Sequence, residues 1–280
     1  MGRAFMLKKA REGVVSKTRG KYRAPLAAIE LLRATGGGYG SRLSGREREE
    51  AMELEAATFG RCAVTPESKN LVRLFYMTEA VKKANGVGRD VGKSKQMTDA
   101  GVLGAGVMGG GIAQLFADKG VRTRMKDLNA QALQIGMQAA SRLFDRQRKK
   151  KRIDSRQMIQ KMNFISPTLD YSGFRTLDLV VEAIIEKMDV KKTVLSELEK
   201  SVGEKTVIAS NTSSLSISEM QTALARPERF AGMHFFNPVH RMPLIEVIRG
   251  SKTSDETVAA VFAWCKQIGK TPVVVKDAPG

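Results

Sequence analysis

Disulfide and structural zinc chemistry are excluded first. The 280 residues hold two cysteines, Cys62 and Cys265, too far apart for a metal-ligand motif and too few for a disulfide framework. That usage fits a reducing compartment, a bacterial cytoplasm or a mitochondrial matrix. Histidine is equally scarce, with His234 and His240 alone, so any imidazole chemistry rests on one of two residues. No run reaches roughly 18 consecutive apolar residues, and no transmembrane segment is expected. The amino terminus, MGRAFMLKKAREG, has basic residues but no apolar stretch of signal-peptide length. Met6 stands where a myristoylation signal has Ser or Thr. Aromatic residues make up 6% of the chain, which offers no stacking platform for nucleic acid, and no helix-turn-helix signature replaces one.

Acidic residues are outnumbered, 29 against 47 Lys and Arg, for a net charge of +18. The excess is spread: residues 1–98 carry 20 cations and 10 acids, and the remainder 27 and 19. The densest run is Arg146 to Arg152, RQRKKKR. Such a field attracts polyanions, whether nucleic acid, anionic membrane or a phosphate-bearing ligand such as coenzyme A. A solvated helix face is the plainer reading.

With 42% apolar residues the chain can bury a core, and its hydrophobic period changes near residue 98. Before that point the pattern is helical. Ala24 to Ala34 has apolar residues at helical spacing, and Thr35 to Gly40 (TGGGYG) breaks it. Arg46 to Thr58 reads as a second helix. Thr65-Pro66-Glu67 starts a third, with Leu71, Leu74, Phe75 and Thr78 on its expected buried face. Asn85 to Lys95 is rich in Gly and Lys and reads as a linker. Beyond it, strands are expected at Ala100–Leu103, Val121–Lys126, Leu177–Val181, Thr206–Ala209, Phe230–His234, Leu244–Ile248 and Pro272–Val275. Helices are expected at Ile112–Ala117, Asn129–Lys150, Val190–Lys200 and Asp255–Gln267. Strands alternating with helices predict an α/β fold: a Rossmann-type, doubly wound, mostly parallel sheet, here preceded by an all-helical segment.

Gly104-Ala105-Gly106-Val107-Met108-Gly109 fits G-x-G-x-x-G between an expected strand and an expected helix. The first glycine permits the tight turn, the second lets backbone approach a pyrophosphate, and the third lets helix pack on strand. The helix then presents free N–H groups to the phosphates. Asp127 ends the next strand, where a carboxylate accepts hydrogen bonds from the adenosine ribose and repels a 2′-phosphate. This favours NAD over NADP, although Arg122, Arg124 and Lys126 lie nearby. The alternative is a glycine turn with no ligand.

His234 ends an apolar strand and precedes a Pro-containing loop, the position where ligands of open α/β sheets bind. Glu246 lies among Leu244, Ile245, Val247 and Ile248, and a carboxylate in such a segment wants a charged partner. A His–Glu pair would satisfy it and orient the imidazole. The spacing is equally compatible with a satisfied core histidine and a solvent-facing glutamate. His240 reads as exposed. Ser210-Asn211-Thr212-Ser213-Ser214 is a small polar cluster at another strand's carboxyl end, suited to a site or to helix capping.

Taken together, GAGVMGGGIAQ (104–114), Asp127, DLVVEAIIE (178–186), ASNTSSL (209–215), HFFNPV (234–239) and PLIEVI (243–248) resemble the NAD-binding domain of the 3-hydroxyacyl-CoA dehydrogenase family over residues 99–280. Residues 1–98 are similar to the segment joining hydratase and dehydrogenase in the fused multifunctional fatty-acid oxidation enzyme, through YRAP (22–25) and SKNL (68–71). The resemblance implies NAD-dependent oxidation of a 3-hydroxyacyl-CoA to a 3-ketoacyl-CoA in fatty-acid β-oxidation. It assigns His234 as general base, Glu246 as its orienting carboxylate and Ser213 as donor to the reacting oxygen. Gly104, Gly106, Val107, Met108, Gly109 and Asp127 form the dinucleotide turn. Glu186 and Lys191 match positions near the cofactor, and Asn211 its nicotinamide end. Partners so implied are an acyl-CoA substrate, a homodimer or a thiolase subunit in the full-length protein, and no specific nucleic acid.

Two departures from the family pattern stand out. The hydratase glutamates have no counterpart here, so hydratase activity is not expected. The family's following all-helical domain, with its catalytic Asn, part of the acyl-CoA site and the usual dimer surface, is also without counterpart. The chain therefore reads as an internal fragment with weak turnover at most, and with apolar helix faces left uncovered. The competing reading is a non-catalytic NAD-binding module.

Overall fold

A computed structural model describes residues 2–36, 44–92 and 94–278. Most of the expected TGGGYG break, Lys93 of the expected linker, and Pro279 and Gly280 lie outside the described residues. The chain divides into two compact units, Met1–Ala80 and Val81–Gly280.

The first unit is helical. Its helices are α1 (Arg3–Thr18), α2 (Arg23–Ala34), α3 (Gly45–Ala63) and α4 (Pro66–Lys83), the last running into the second unit. A capping box starts α3: the Ser44 hydroxyl accepts from Glu47 N, and the Glu47 carboxylate accepts from Ser44 N at 2.9 Å. Thr65 Oγ1 accepts from Ser68 N at 3.2 Å where α4 begins at Pro66. Among the described residues of these four helices Ala51 alone is buried. The expected buried face of α4 is therefore corrected: Leu71, Leu74 and Phe75 are 43%, 58% and 59% exposed. An apolar stripe records what a helix could bury, and the described part of this unit supplies no core against it.

The second unit holds one eight-stranded sheet. Its strands are β1 (Asp99–Leu103), β2 (Arg122–Lys126), β3 (Ile165–Thr168), β4 (Leu179–Glu182), β5 (Val207–Ser210), β6 (Phe230–Phe235), β7 (Leu244–Arg249) and β8 (Thr271–Lys276). The order is β3-β2-β1-β4-β5-β6-β7-β8. Every pairing is parallel except β6 with β7. The flanking helices are α5 (Val107–Asp118), α6 (Ala130–Lys149), α7 (Ser155–Met162), α8 (Met188–Ser201), α9 (Ile217–Met220) and α10 (Asp255–Gln267). Two buried clusters result. One includes Ile112, Phe116, Phe144 and Trp264; the other includes Phe174, Leu195, Leu198 and Phe230. Phe116 is fully buried with its ring edge-on to Trp264 at 5.1 Å, and burying such a side chain contributes about 2–3 kcal/mol.

The segment expected as a linker packs on this sheet domain instead. Asn85 Oδ1 accepts from Val87 N and Gly88 N, closing a local turn. Arg89 pairs with Asp255, and Lys95 with Asp178 at 3.3 Å. Met97 is buried, and the Gln267 side chain clasps both its N–H and its carbonyl, at 3.2 and 2.6 Å. Glycine and lysine content suggested flexibility, but side chains far along the sequence hold this strap in place.

Candidate active site

The sheet order reverses between β1 and β4, which opens a crevice beyond their carboxyl ends. The glycine turn lies there. Gly104 has φ +92°, and a Cβ on it would meet Ala183 O at 2.6 Å, so only glycine fits. A Cβ on Gly109 would fall 1.7 Å from Gly104 O. A Cβ on Gly106 would meet nothing within 4 Å; its space lies open beside the amino end of α5.

Asp127 closes the other side of the turn. Its carboxylate accepts from Ala105 N and Leu128 N, both at 2.6 Å. Of the three nearby cations, Arg122 is committed to Asp99 at 2.6 and 2.7 Å, at the opposite end of β1. Lys126 lines the cavity and places its ammonium over the Tyr171 ring at 4.6 Å. The cavity, about 550 Å³, runs from the glycine turn to Ile184 and Ile185. Val107, Leu128, Ile135 and Ile185 are exposed on its walls. A concave apolar lining of this size beside a phosphate-ready helix end suits a dinucleotide.

A second group of residues follows β4 and β5. Glu182, the last residue of β4, is fully buried. It accepts from Lys191 Nζ at 2.6 Å, Ile184 N at 2.8 Å and Ser210 Oγ at 2.6 Å. Lys191, 1% exposed, also reaches Glu186 at 3.2 Å. Glu186 accepts from Thr212 Oγ1 at 2.5 Å and from Ser213 N at 3.0 Å. Burial pushes the Glu186 carboxyl upward, but Thr212, Lys191 and Ser213 N–H outweigh it and hold the group below its ordinary range. Asn211 N donates to Glu182 O, and Asn211 Oδ1 accepts from Phe235 N, both at 2.8 Å. Asn211 thereby ties β4 to β6.

The third group lies where β6 and β7 run antiparallel. His234 and Glu246 are directly opposite in register, and His234 Nδ1 lies 2.8 Å from Glu246 Oε2. An ionised carboxylate only accepts, so the proton is assigned to Nδ1 and the lone pair to Nε2. His234 is 18% exposed at its side chain. It shares a cavity of about 130 Å³ with Glu246, Ser213 and Asp277. Ser213 is exposed. His240 is exposed as expected. Its pKa is lowered, first by burial of the ring and then by Arg146, Arg241, Lys270 and Lys150.

Sequence reasoning missed Glu182 and Asp277 as participants, and placed Ser210 and Thr212 in the polar cluster without naming their partners Glu182 and Glu186. Asp277 follows β8 and reaches back to α9, accepting from Ser216 Oγ at 2.8 Å, Ile217 N at 3.0 Å and Ser218 N at 2.8 Å. Burial pushes its carboxyl up, and these donors overcome that and hold it below the usual aspartate range. Asp277→Ala is expected to cost about 1–2 kcal/mol in urea unfolding. Because the folded-state pKa is depressed, this stabilisation is complete above the unfolded value of roughly 3.9. It is lost as pH falls through the lower folded value, so the gap between the two proteins should close in acid.

A parallel sheet with the order 3-2-1-4-5-6 at its core, a glycine turn after the first strand and a carboxylate after the second define a Rossmann dinucleotide-binding domain. Residues 99–278 match the family model described as 3-hydroxyacyl-CoA dehydrogenase, NAD binding domain, and the chain belongs to that family. Solved structures agree. An (S)-3-hydroxybutyryl-CoA dehydrogenase from Ralstonia eutropha is 42% identical with TM-score 0.64, the match covering 66% of this chain and 65% of that one. A 3-hydroxybutyryl-CoA dehydrogenase from Escherichia coli K12 is 31% identical with TM-score 0.64, over 66% and 39%. The dehydrogenase part of multifunctional enzyme 1 from C. elegans is 30% identical with TM-score 0.63, over 72% and 48%. The chain thus spans less than two thirds of each of these proteins. Its cofactor is NAD, and no described helix is long and apolar enough to cross a membrane.

Proposed function

We propose that this chain carries the cofactor half and the general base of an NAD-dependent dehydrogenase that oxidises a 3-hydroxyacyl-CoA to a 3-ketoacyl-CoA in fatty-acid β-oxidation. The observation that carries the reading is the His234–Glu246 pair at 2.8 Å, beside Ser213, at the carboxyl end of β6.

His234 Nε2 takes the proton of the substrate's 3-hydroxyl. As that O–H bond breaks and the C3–O bond gains double-bond character, the hydride on C3 departs, and NAD when bound supplies its acceptor. Glu246 holds the ring in one tautomer and stabilises the imidazolium that forms. Ser213 Oγ donates to the reacting oxygen. Gly104, Gly106 and Gly109, with the amino end of α5 at Val107 and Met108, cradle the pyrophosphate; Asp127 takes the adenosine ribose. Glu186, Lys191 and Asn211 order the nicotinamide end. The cations Arg146, Lys150, Arg241 and Lys270 around His240 form a positive field that suits the phosphates of coenzyme A.

A second reading, an NAD-binding module without turnover, is favoured by one observation. The cavity beside His234 is about 130 Å³, below the roughly 300 Å³ of a small-molecule site.

The cofactor reading is tested by titration with NADH and NADPH, and the substrate reading by steady-state assay with 3-hydroxybutyryl-CoA. NADH should bind at least about tenfold more tightly than NADPH, and Asp127→Ala should narrow that difference. The assay should show NAD reduction above background. Equal affinity for the two cofactors would refute the Asp127 assignment, and saturable NADH binding without turnover would favour the second reading.

A further inference from the structure

Glu182 is the one fully buried carboxylate beneath the loops that follow β4 and β5 among the described residues. It joins four elements at once: its own strand, the loop at Ile184, Lys191 on α8 and Ser210 on β5. Through Lys191 it is linked to Glu186, which follows Ile185 of the cavity wall and accepts from Thr212 Oγ1 and Ser213 N–H.

The charge of this cluster does not cancel. Glu182 and Glu186 contribute two negative charges and Lys191 one positive charge, leaving one net negative charge. Neighbouring groups do not neutralise it. Lys192 is matched by Glu219 at 2.9 Å, while Lys187 and Asp189 are exposed and opposite in sign. Glu182 and Lys191 are buried and cancel one another, so the remaining charge rests on Glu186, 39% exposed, where the buried pair beneath it fixes the sign of the local field.

The nicotinamide ring is cationic when oxidised and neutral once it carries a hydride. Asp127 and the glycine turn take the adenosine and pyrophosphate on one side of the crevice. The other end must then reach across the switch point toward β4, β5 and the base. We propose that Glu182 is a positioning residue whose buried charge, acting through Lys191 and Glu186, makes the site prefer the cationic oxidised cofactor over the neutral reduced one. This rests on the nicotinamide placement given under the proposed function.

The test is calorimetric titration of NAD and of NADH separately into the 280-residue chain, the Glu182→Gln variant and the Ser210→Ala variant. Glu182→Gln keeps size and the oxygen that accepts from Lys191 and Ile184 N, presents an NH2 donor to the Ser210 hydroxyl in place of the second oxygen, and removes the charge. It should raise the ratio Kd(NAD)/Kd(NADH) about five- to tenfold. A tenfold change corresponds to about 30 mV in the potential of the bound couple. Ser210→Ala removes a hydrogen bond to Glu182 without changing charge, and should weaken both forms alike. A Glu182→Gln variant that loses affinity for both forms by the same factor would overturn the proposal, as would a Ser210→Ala variant that moves the ratio equally far. Should circular dichroism show Glu182→Gln unfolded, Glu186→Gln removes the same charge from a more exposed position. The same rise is then expected, and an unchanged ratio overturns the proposal. Failure of the unsubstituted chain to bind either form would instead overturn the underlying cofactor reading, and this proposal with it.

Discussion

Gly106→Ala is expected to leave the unfolding midpoint unchanged and to lower NADH affinity at least about 100-fold, ~3 kcal/mol. Gly109→Ala is expected to lower both stability and affinity. The two glycines share one turn yet differ in what a methyl group would meet. At 109 it would fall 1.7 Å from the carbonyl oxygen of Gly104 and 2.9 Å from its carbon. Those are backbone atoms anchored by Gly104 N donating to Lys126 O at 2.9 Å, and no rotamer change relieves the overlap. The first turn of α5 must shift away from β1, at a cost of about 3 kcal/mol or more. At 106 the methyl group would meet no protein atom within 4 Å, so the folded chain tolerates it. The volume it takes is the space into which a pyrophosphate approaches the backbone. Thermal unfolding beside NADH titration checks both statements. Equal stability loss in the two variants would mean that Gly106 serves the turn and not a ligand.

His234→Gln should lower turnover of a 3-hydroxyacyl-CoA about 1,000-fold, within the range for loss of a general base. NADH affinity should change less than about twofold, since His234 is hydrogen-bonded to Glu246 and not to the glycine turn. Glu246→Gln should cost about 100-fold. The amide can donate to Nδ1, which favours the tautomer whose proton sits on Nε2 and removes the lone pair that accepts the substrate's proton. It also withdraws the charge that stabilises the imidazolium. Steady-state kinetics with paired NADH titrations separate these effects from lost cofactor binding. Turnover that survives His234→Gln would move the base role elsewhere. His240 is poorly placed for it, in a positive field that disfavours the protonated ring.

The α/β alternation was legible because parallel strands buried on both faces read as short apolar runs. The run Leu177 to Val181 placed β4, and the strand carrying His234 was recognised from its apolar run. The strand β3 was not. Its four residues, Ile-Ser-Pro-Thr, lie at the sheet edge with one buried side chain, so neither apolarity nor alternation marks them. Helix α1 escaped for a similar reason: none of its residues is buried, and it leaves no periodic trace. The segment Asn85 to Lys95 was misjudged from composition, because the contacts that hold it come from Asp178 and Asp255, far along the sequence.

In the site, the pairing of His234 with Glu246 could be anticipated since each was the odd polar residue in an apolar strand. Glu182 is equally odd within Leu179–Glu182, but it terminates the strand, where a glutamate commonly turns to solvent. Nothing local announces that Lys191, on the next helix, folds back to meet it at 2.6 Å with both side chains buried. A residue pair nine apart across a strand–loop–helix connection is visible only once the helix is packed. Asp277 was hidden likewise, since its partners Ser216 and Ser218 lie some 60 positions away.

The most direct test of the account follows an isotope. The chain is incubated with NAD and 3-hydroxybutyryl-CoA carrying deuterium at C3, and the cofactor is recovered and weighed by mass spectrometry. The account predicts one deuterium in the reduced nicotinamide, formed by the unsubstituted chain and not by His234→Gln. A chain that binds NADH saturably yet leaves the cofactor unlabelled would contradict it, and would establish a dinucleotide-binding module without dehydrogenase chemistry.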